Sequence, residues 1–334
     1  MHRGIVTLFV LAAVSAAGSY HRIRKIAIGG DGGWDYLIAD GANGRVYVSH
    51  GAEVDVVDEK TGQVAGKIAD LKGVHGVALA PEFGRGFISN GQSGSVTIFD
   101  LKTLSKIGED VPAGKNPDAI IYDPVSKRVF AFNGRGSDAT AIDAEKGTLA
   151  GTVALEGKPE FAAADGAGHV YVNIEDTGKV FEIDSRKLTV EHRWPLAPCE
   201  EPSGMAMDAK HRRIFSGCHN KLMAVMDADT GKIVATPPIG NGIDATAFDP
   251  GSGLIFNSCG DGTLNVIHED SPDHYTVVEN VNTQAGARTM ALDPRTHHVF
   301  LAIAEFEPAA EAAGQQRPRR KMVAGTFGLL EFGN

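Results

Sequence analysis

The chain has 334 residues, of which 43% are hydrophobic and 22% charged, with 41 glycines, 15 prolines and few aromatic residues. This composition suits a fold of many short strands and tight turns. The formal net charge of −10 argues against a general affinity for phosphate backbones, so we expect no nucleic-acid partner.

The first 18 residues have the pattern of a secretory signal peptide. His2 and Arg3 form a short basic start, and a largely apolar run from Ile5 to Val14 leads into small residues. This run is too short for a transmembrane helix, which needs about 20 residues, and a membrane anchor retained in the mature protein is the alternative interpretation. We therefore expect a mature chain that begins near Ser19, has no membrane span and is periplasmic or secreted.

A repeat of four short strands occupies the rest of the chain. The first strand of each unit ends at an anchor position that is Asp in six units and Ala in one, and these anchors are 40 to 44 residues apart. The first-strand anchors are Asp40, Ala80, Asp123, Asp165, Asp208, Asp249 and Asp293. The third-strand anchors are Asp58, Asp100, Asp143, Asp184, Asp227 and His268. Four strands in a period of this length are typical of a propeller blade.

The seventh unit ends after a third strand at Gly328 to Phe332 and has no fourth strand of its own. The unassigned strand is Arg22 to Ile28, near the start of the mature chain. We expect it to complete the last blade, because this closes the ring and covers an open sheet edge. The sequence therefore predicts one all-β domain over 19–334, a seven-bladed β-propeller with four-stranded blades.

Several strands resemble a known repeat. The segments Val-Tyr-Val-Ser-His (46–50), Phe-Ile-Ser-Asn-Gly (87–91) and Val-Tyr-Val-Asn (170–173) are similar to the Tyr-Val-Thr-Asn motif. Gly-Lys-Asn-Pro (114–117) is similar to the Gly-x-x-Pro turn between blades. The chain thus resembles the YVTN-repeat, YncE-like seven-bladed β-propeller family over essentially all of its mature length. The resemblance implies an exported propeller and supplies no catalytic motif.

Propeller geometry predicts a polar ring at one mouth of the central channel, five residues before each first-strand anchor. We call it the mouth ring: Asp35, His75, Asp118, Glu160, Ser203, Asp244 and Arg288. A channel mouth is wet in any propeller, so this polarity also has a purely structural explanation. Four carboxylates on one ring nevertheless favour a cation, with Ca²⁺ or Mg²⁺ held by Asp118, Glu160 and Asp244. Arg288 could instead bind a carboxylate or phosphate.

A second predicted ring, the loop ring, follows the second strands on the same face. Its members are His50, Asn90, Asn133, Glu175, Cys218 or His219, Cys259 and Glu305. Asn90 and Asn133 are more readily explained as loop caps than as ligands. A zinc or copper site built from His50, His75 and His219 lacks the usual ligand spacing.

Three cysteines fall in the fifth and sixth units. Cys199 and Cys218 flank the first two strands of one blade, so a disulfide between them is the preferred pairing in an exported chain. Cys259 is then left over. A Cys218–Cys259 bond between blades and a Cys–His metal site are the alternatives.

An insertion at 307–321 interrupts the last blade, is low in complexity and ends in a basic run. A disordered loop is the default interpretation, and a lid over the mouth ring is the functional one.

No nucleophile elbow, phosphate-binding loop or dinucleotide motif occurs in the sequence. We therefore expect a monomeric propeller that binds a small molecule, an ion or a protein partner at the mouth. The alternative is a metal-dependent, lactonase-like hydrolase in which His75 serves as acid or base. A cofactor-bearing oxidoreductase comes third, because no haem-attachment motif is present.

Overall fold

The computed structural model describes residues 19–308 and 321–334. The predicted signal peptide and residues 309–320 of the predicted insertion lie outside these residues. The described strands are β1 (His21–Ala27), β2 (Trp34–Asp40), β3 (Arg45–His50), β4 (Glu53–Asp58), β5 (Gln63–Ile68), β6 (Val74–Ala80), β7 (Arg85–Asn90), β8 (Ser95–Asp100), β9 (Val111–Pro112), β10 (Pro117–Asp123), β11 (Arg128–Asn133), β12 (Asp138–Asp143), β13 (Thr148–Ala154), β14 (Pro159–Ala164), β15 (His169–Ile174), β16 (Lys179–Asp184), β17 (Thr189–Pro195), β18 (Pro202–Asp208), β19 (Arg213–Cys218), β20 (Leu222–Asp227), β21 (Ile233–Ala235), β22 (Ile243–Asp249), β23 (Leu254–Cys259), β24 (Thr263–Ser271), β25 (His274–Asn282), β26 (Met290–Asp293), β27 (His298–Ile303) and β28 (Gly328–Gly333). Two short 3₁₀ helices span Pro81–Phe83 and Glu175–Thr177.

These strands form seven four-stranded antiparallel sheets, which confirms the predicted seven-bladed propeller. Six blades use four consecutive strands, from β2–β5 to β22–β25. The seventh has the order β1-β28-β27-β26, so the N-terminal strand is its outermost strand. The predicted closure is therefore confirmed, with the strand one residue earlier than expected, at His21–Ala27.

The hydrophobic core lies between neighbouring blades. In the second strand of the first blade, Val46, Tyr47 and Val48 are fully buried, because adjacent blades cover both faces of this strand. Tyr47 packs with Val77 and Phe99 of the next blade. The outer strand β5 alternates between exposed and partly buried residues, as expected for a strand that faces solvent on one side.

The third-strand anchors owe their identity to the turn that follows them. Asp58 accepts hydrogen bonds from the backbone N–H of Thr61 at 2.7 Å and from its hydroxyl at 2.8 Å. Gly62 then adopts a φ of +67°, a conformation that favours glycine. Asp100 and Asp227 form the same turn with Thr103 and Thr230.

The two departures from the repeat have local structural explanations. At Ala80, where the other units have Asp, the 3₁₀ helix Pro81–Phe83 replaces the aspartate-capped turn. At His268 the third strand does not end as expected. Strand β24 continues to Ser271, and β25 begins at His274. Their hairpin is therefore the longest among the described blades.

Cys199 and Cys218 form a disulfide, with Cα atoms 5.5 Å apart, as preferred from the sequence. It connects the entry to β18 with the end of β19. Cys259 is a buried thiol whose pKa is raised to about 12 by burial.

Replacing both bonded cysteines by serine is expected to lower the free energy of unfolding by about 3 kcal/mol, because the bond restrains a loop of 19 residues in the unfolded chain. Urea unfolding monitored by tryptophan fluorescence measures this change. Wild-type protein unfolded in reductant should match the variant. Equal midpoints for oxidised and reduced wild type would contradict the prediction.

Candidate functional site

Each mouth-ring residue lies where a first strand begins, and the strand pairing is irregular there. In six blades the ring residue is the second residue of the first strand, and Arg288 lies two residues before β26. The register of the same six strands shifts at this point, for example between Trp34 and Leu37 and between Pro117 and Ile120. Such irregularities re-aim side chains and are common beside functional sites.

Three mouth-ring residues from consecutive blades meet in what we call the aspartate–histidine cluster: Asp35, His75 and Asp118. The His75 Nδ1 atom is 2.6 Å from Asp35 Oδ2 and 3.5 Å from Asp118 Oδ1. One possible ligand atom from each residue lies within 4.8 Å of the other two. All three side chains are partly exposed, so the cluster opens to the mouth.

On the next blade, Lys158 lies between two carboxylates. Its ammonium group is 2.5 Å from Glu160 Oε1 and also contacts Glu175. The single positive charge of Lys158 is thus shared between the carboxylates of Glu160 and Glu175. Glu175, predicted for the loop ring, is therefore brought to the mouth ring by this shared lysine.

The remaining mouth-ring residues form a looser group. Arg288 Nε is 3.7 Å from Asp244 Oδ2, and the arginine side chain is 57% exposed, so it can move to meet a ligand. Ser203 is buried and donates its hydroxyl hydrogen to the backbone carbonyl of Asp244 at 3.3 Å. Ser203 is therefore a structural member of the ring.

Two aromatic residues meet across the channel beneath the ring. Tyr36 follows Asp35 in the first blade and Phe161 follows Glu160 in the fourth, and their ring centroids are 4.5 Å apart. Burial and the charges of Asp118, Glu160, Asp35 and Asp244 raise the pKa of Tyr36 well above its ordinary value. The Tyr36 phenol is therefore neutral and is surrounded by all four mouth-ring carboxylates.

The pKa values of these four carboxyl groups are all raised, and burial is the largest cause in each case. The pKa of Asp118 is raised to about 6 and that of Glu160 to about 8, and those of Asp35 and Asp244 are also raised. The charge of Asp118 contributes to the shifts at Glu160 and Asp244. Burial, together with repulsion between neighbouring carboxylates, therefore disfavours the ionised form of these groups.

His75 shows the complementary effect. Burial opposes its protonation, but the hydrogen bond to Asp35 and the charges of Asp118 and Asp35 outweigh burial, and the pKa of His75 is raised. A protonated His75 acts as an internal counterion for the two aspartates.

Most of the loop ring does not reach the mouth. His50, Asn90 and Asn133 are buried within their blades. Asn133 accepts a hydrogen bond from Gly114 N–H at 3.2 Å, and the Asn90 amide donates to Thr97 at 2.9 Å. These asparagines have the structural role that the sequence favoured, because their polar groups are used inside the fold.

The other loop-ring positions are dispersed. Cys218 is in the disulfide and Cys259 is buried. His219 is partly exposed and lies 3.4 Å from Glu201, and Glu305 is 3.8 Å from Lys25. No zinc or copper site from His50, His75 and His219 assembles among the described residues.

The three predicted metal ligands have different surroundings. Asp118 belongs to the aspartate–histidine cluster, whereas Glu160 is paired with Lys158 and Asp244 with Arg288. A cation at the mouth would therefore find its closest set of donors at Asp35, His75 and Asp118, and not at the predicted trio.

Two open cavities extend outward from the ring, of about 1060 Å³ and about 1140 Å³. The first is bordered by Asp35, His75, Lys115 and Arg135. The second is bordered by Arg288, Asp31, Glu307 and Lys321, so the base of the insertion lies beside the mouth ring. Gly33 and Trp34 line both cavities and connect them.

Tyr36 and Phe161 were not predicted from the sequence, and Lys158 was not assigned to the site. A signal for the aromatic pair is present at the position after each mouth-ring residue. That position is small in the other five blades: Gly76, Ala119, Gly204, Ala245 and Thr289. Two aromatic side chains at a position that holds small residues in the other blades indicate that these side chains fill the channel.

Within the part of the chain that the structure describes, no helix is long and apolar enough to cross a membrane. No family model and no curated protein matches the chain. Among solved structures, it is similar to a chain of the Kuenenia stuttgartiensis hydrazine synthase, with 17% identity and a TM-score of 0.69 over 81% of this chain and 92% of that one. It is also similar to a chain of a mitotic checkpoint complex, with 15% identity and a TM-score of 0.74 over 90% and 94%. These likenesses support the seven-bladed β-propeller fold and nothing finer.

Proposed function

We propose that this chain is an exported, monomeric binding propeller of the YVTN-repeat, YncE-like type whose mouth ring binds a divalent cation, Ca²⁺ or Mg²⁺. The N-terminal pattern and the disulfide support export to the periplasm or beyond. The mouth ring supports the cation.

The observation that carries the proposal is the charge imbalance at the mouth. Five carboxylates make the contacts described above, those of the mouth ring together with Glu175. Three basic groups are in contact with these carboxylates: His75, Lys158 and Arg288. When all five carboxylates are ionised and His75 is protonated, two negative charges remain, and a divalent cation would neutralise them.

The aspartate–histidine cluster provides the proposed contact point. Asp35 and Asp118 offer hard oxygen ligands, and the wide mouth leaves room for coordinated water, which Mg²⁺ in particular retains. A positively charged group on a small molecule or on a partner protein would neutralise the same carboxylates. The proposal therefore includes such cationic ligands beside the divalent cation.

The test is calorimetric titration of Ca²⁺ and of Mg²⁺ into chelator-treated protein that begins at Ser19. The Asp35→Asn, Asp118→Asn double variant is expected to bind the cation about 100-fold more weakly. A Glu145→Gln, Asp229→Asn variant, which neutralises two exposed carboxylates elsewhere, should bind like wild type. Absence of binding at millimolar cation, or equal affinity in both variants, would overturn the proposal.

A metal-dependent hydrolase is the second candidate, because the pKa of Glu160, raised to about 8, keeps this acid protonated at neutral pH beside the cluster. A protonated carboxyl can donate a proton to a leaving group. Cation-dependent turnover of a simple lactone, lost in Glu160→Gln, would establish this candidate. No turnover by the cation-loaded protein would exclude it for that substrate and leave the binding propeller.

A further inference from the structure

A second group of potential ligands lies on the face opposite the mouth, where the fifth and sixth blades meet. We call it the Asp208 site: Asp208, His211 and Glu269. Asp208 ends β18, whose other end carries Ser203 of the mouth ring, and His211 lies in the turn to β19. Glu269 comes from β24 of the next blade. The three residues therefore connect two blades.

The geometry of the site suits a metal ion. His211 Nδ1 is 2.5 Å from Asp208 Oδ2 and 3.7 Å from Glu269 Oε1. One possible ligand atom of each residue lies within 4.8 Å of the others. Around a tetrahedral ion with bonds of about 2.1 Å, ligand atoms stand about 3.4 Å apart, so small side-chain shifts would suffice.

Two of the three side chains are almost fully removed from water. The side chains of Asp208 and Glu269 are only 5% and 4% exposed, and that of His211 is 36% exposed. Asp208 Oδ2 and His211 Nδ1 are buried and face each other at 2.5 Å. Within the described residues, one partly exposed imidazole is thus the basic group that faces two buried carboxylates.

The matching junction between the seventh and first blades shows how the fold handles the same pair of acids. Asp293 corresponds to Asp208, and Glu59, the residue after a third-strand anchor, corresponds to Glu269. There Arg295 lies 3.4 Å from Asp293 and 3.6 Å from Glu59 and supplies positive charge. Among the described residues, no lysine or arginine lies within 4.0 Å of the carboxylates of Asp208 and Glu269.

We propose that the Asp208 site binds a first-row transition-metal dication, with Zn²⁺ as the reference ion, and that the ion joins the fifth and sixth blades. One imidazole and two carboxylates are suitable ligands for such ions. The partly exposed His211 leaves a route for the ion to enter.

Neighbouring groups hold each ligand in place, as second-layer contacts do in metal sites. The Tyr275 hydroxyl donates to Glu269 Oε1 at 3.2 Å. The backbone N–H of Lys210 donates to Asp208 Oδ1 at 2.9 Å, and the Arg213 guanidinium donates to the carbonyl of His211 at 3.0 Å. The charge of Arg213 is itself balanced by two other aspartates, Asp227 and Asp273.

The experiment uses chelator-treated protein that carries Asp35→Asn and Asp118→Asn, which removes the two oxygen ligands proposed for the cation at the mouth. Calorimetric titration with Zn²⁺ should show one site, and Zn²⁺ should raise the midpoint of thermal unfolding. Adding His211→Gln should weaken Zn²⁺ binding at least tenfold and remove most of the thermal shift. His268→Gln is the matched control, because this histidine is similarly exposed and lies beside Glu269.

Equal Zn²⁺ affinity in the His211→Gln and His268→Gln proteins would overturn the proposal, as would absence of a Zn²⁺ site. Co²⁺ provides a second readout, because its visible spectrum reports coordination directly and should change in His211→Gln alone. This result does not depend on the mouth proposal, since the comparison of His211→Gln with His268→Gln is made in protein that lacks Asp35 and Asp118.

Discussion

Ile26→Ala is expected to lower the free energy of unfolding by about 2–4 kcal/mol, because it opens a cavity beneath the strand that closes the ring. Ile26 is 2% exposed and packs in the cluster shared by the first and last blades, with Leu37, Val48 and Phe300. Its strand β1 lies at the outer edge of the last blade and pairs with β28, so the buried face of Ile26 is one of the contacts that hold this strand. Urea unfolding followed by circular dichroism measures the change.

Ile23→Ala is the matched control, since Ile23 lies in the same strand but is 43% exposed. Its effect should stay within about 0.5 kcal/mol, as for most surface substitutions. Equal losses in the two variants would show that β1 does not contribute through its buried face.

Closure also depends on one arginine of this strand. Arg24 is paired with Glu331 in the neighbouring strand and donates to the backbone carbonyls of Glu59 and Lys60 in the first blade. The N-terminal strand thus connects the last blade to the first, which explains why the chain places it there and not in a separate sheet.

The repeat in the sequence was sufficient to predict the blades, because each Asp anchor performs a local task. Asp58 and Asp100 bind the turn that follows them, and this chemistry is visible in a short segment. The long β24–β25 hairpin was not predicted, since His268 stands where the usual turn signal is missing. Local signals therefore predict the regular blades and miss the exceptions.

The site was only partly predictable, because side-chain direction depends on neighbouring blades. Spacing predicted the polar ring, but it could not show that Asp118 lies 3.5 Å from His75 while Asp244 is paired with Arg288. It also could not show that His50 turns into its own blade, where its Nδ1 atom is 3.0 Å from Asp55 Oδ2. These side-chain orientations are determined by contacts between residues far apart in sequence.

Stability should fall as the pH rises from 5 to 8.5, and Glu160→Gln should remove much of this fall. The pKa values of Asp118 and Glu160 are raised to about 6 and about 8 in the folded chain. In the unfolded chain they are about 3.9 and 4.3. Between these values the folded state holds protons that the unfolded state has lost, so raising the pH favours unfolding.

Each pKa unit corresponds to about 1.4 kcal/mol, so the two groups together account for on the order of 3–5 kcal/mol over this range. Glutamine is neutral at every pH, so Glu160→Gln should be more stable than wild type at pH 8.5 and closer to it at pH 5. Urea unfolding in chelator at both pH values tests this. The control is Glu305→Gln, an exposed carboxyl on the same face, whose curve should stay parallel to that of wild type.

The same measurement shows whether protons or a metal cation neutralise the carboxylates of the mouth ring. Ca²⁺ should restore stability mainly at pH 8.5, where the carboxylates are ionised, by about 2.7 kcal/mol at 100 times its dissociation constant. At pH 5 the protons already neutralise Asp118 and Glu160, and Ca²⁺ should have little effect. Identical pH dependence in wild type and Glu160→Gln would contradict this account, because it would mean that Glu160 is ionised in the folded chain at pH 5.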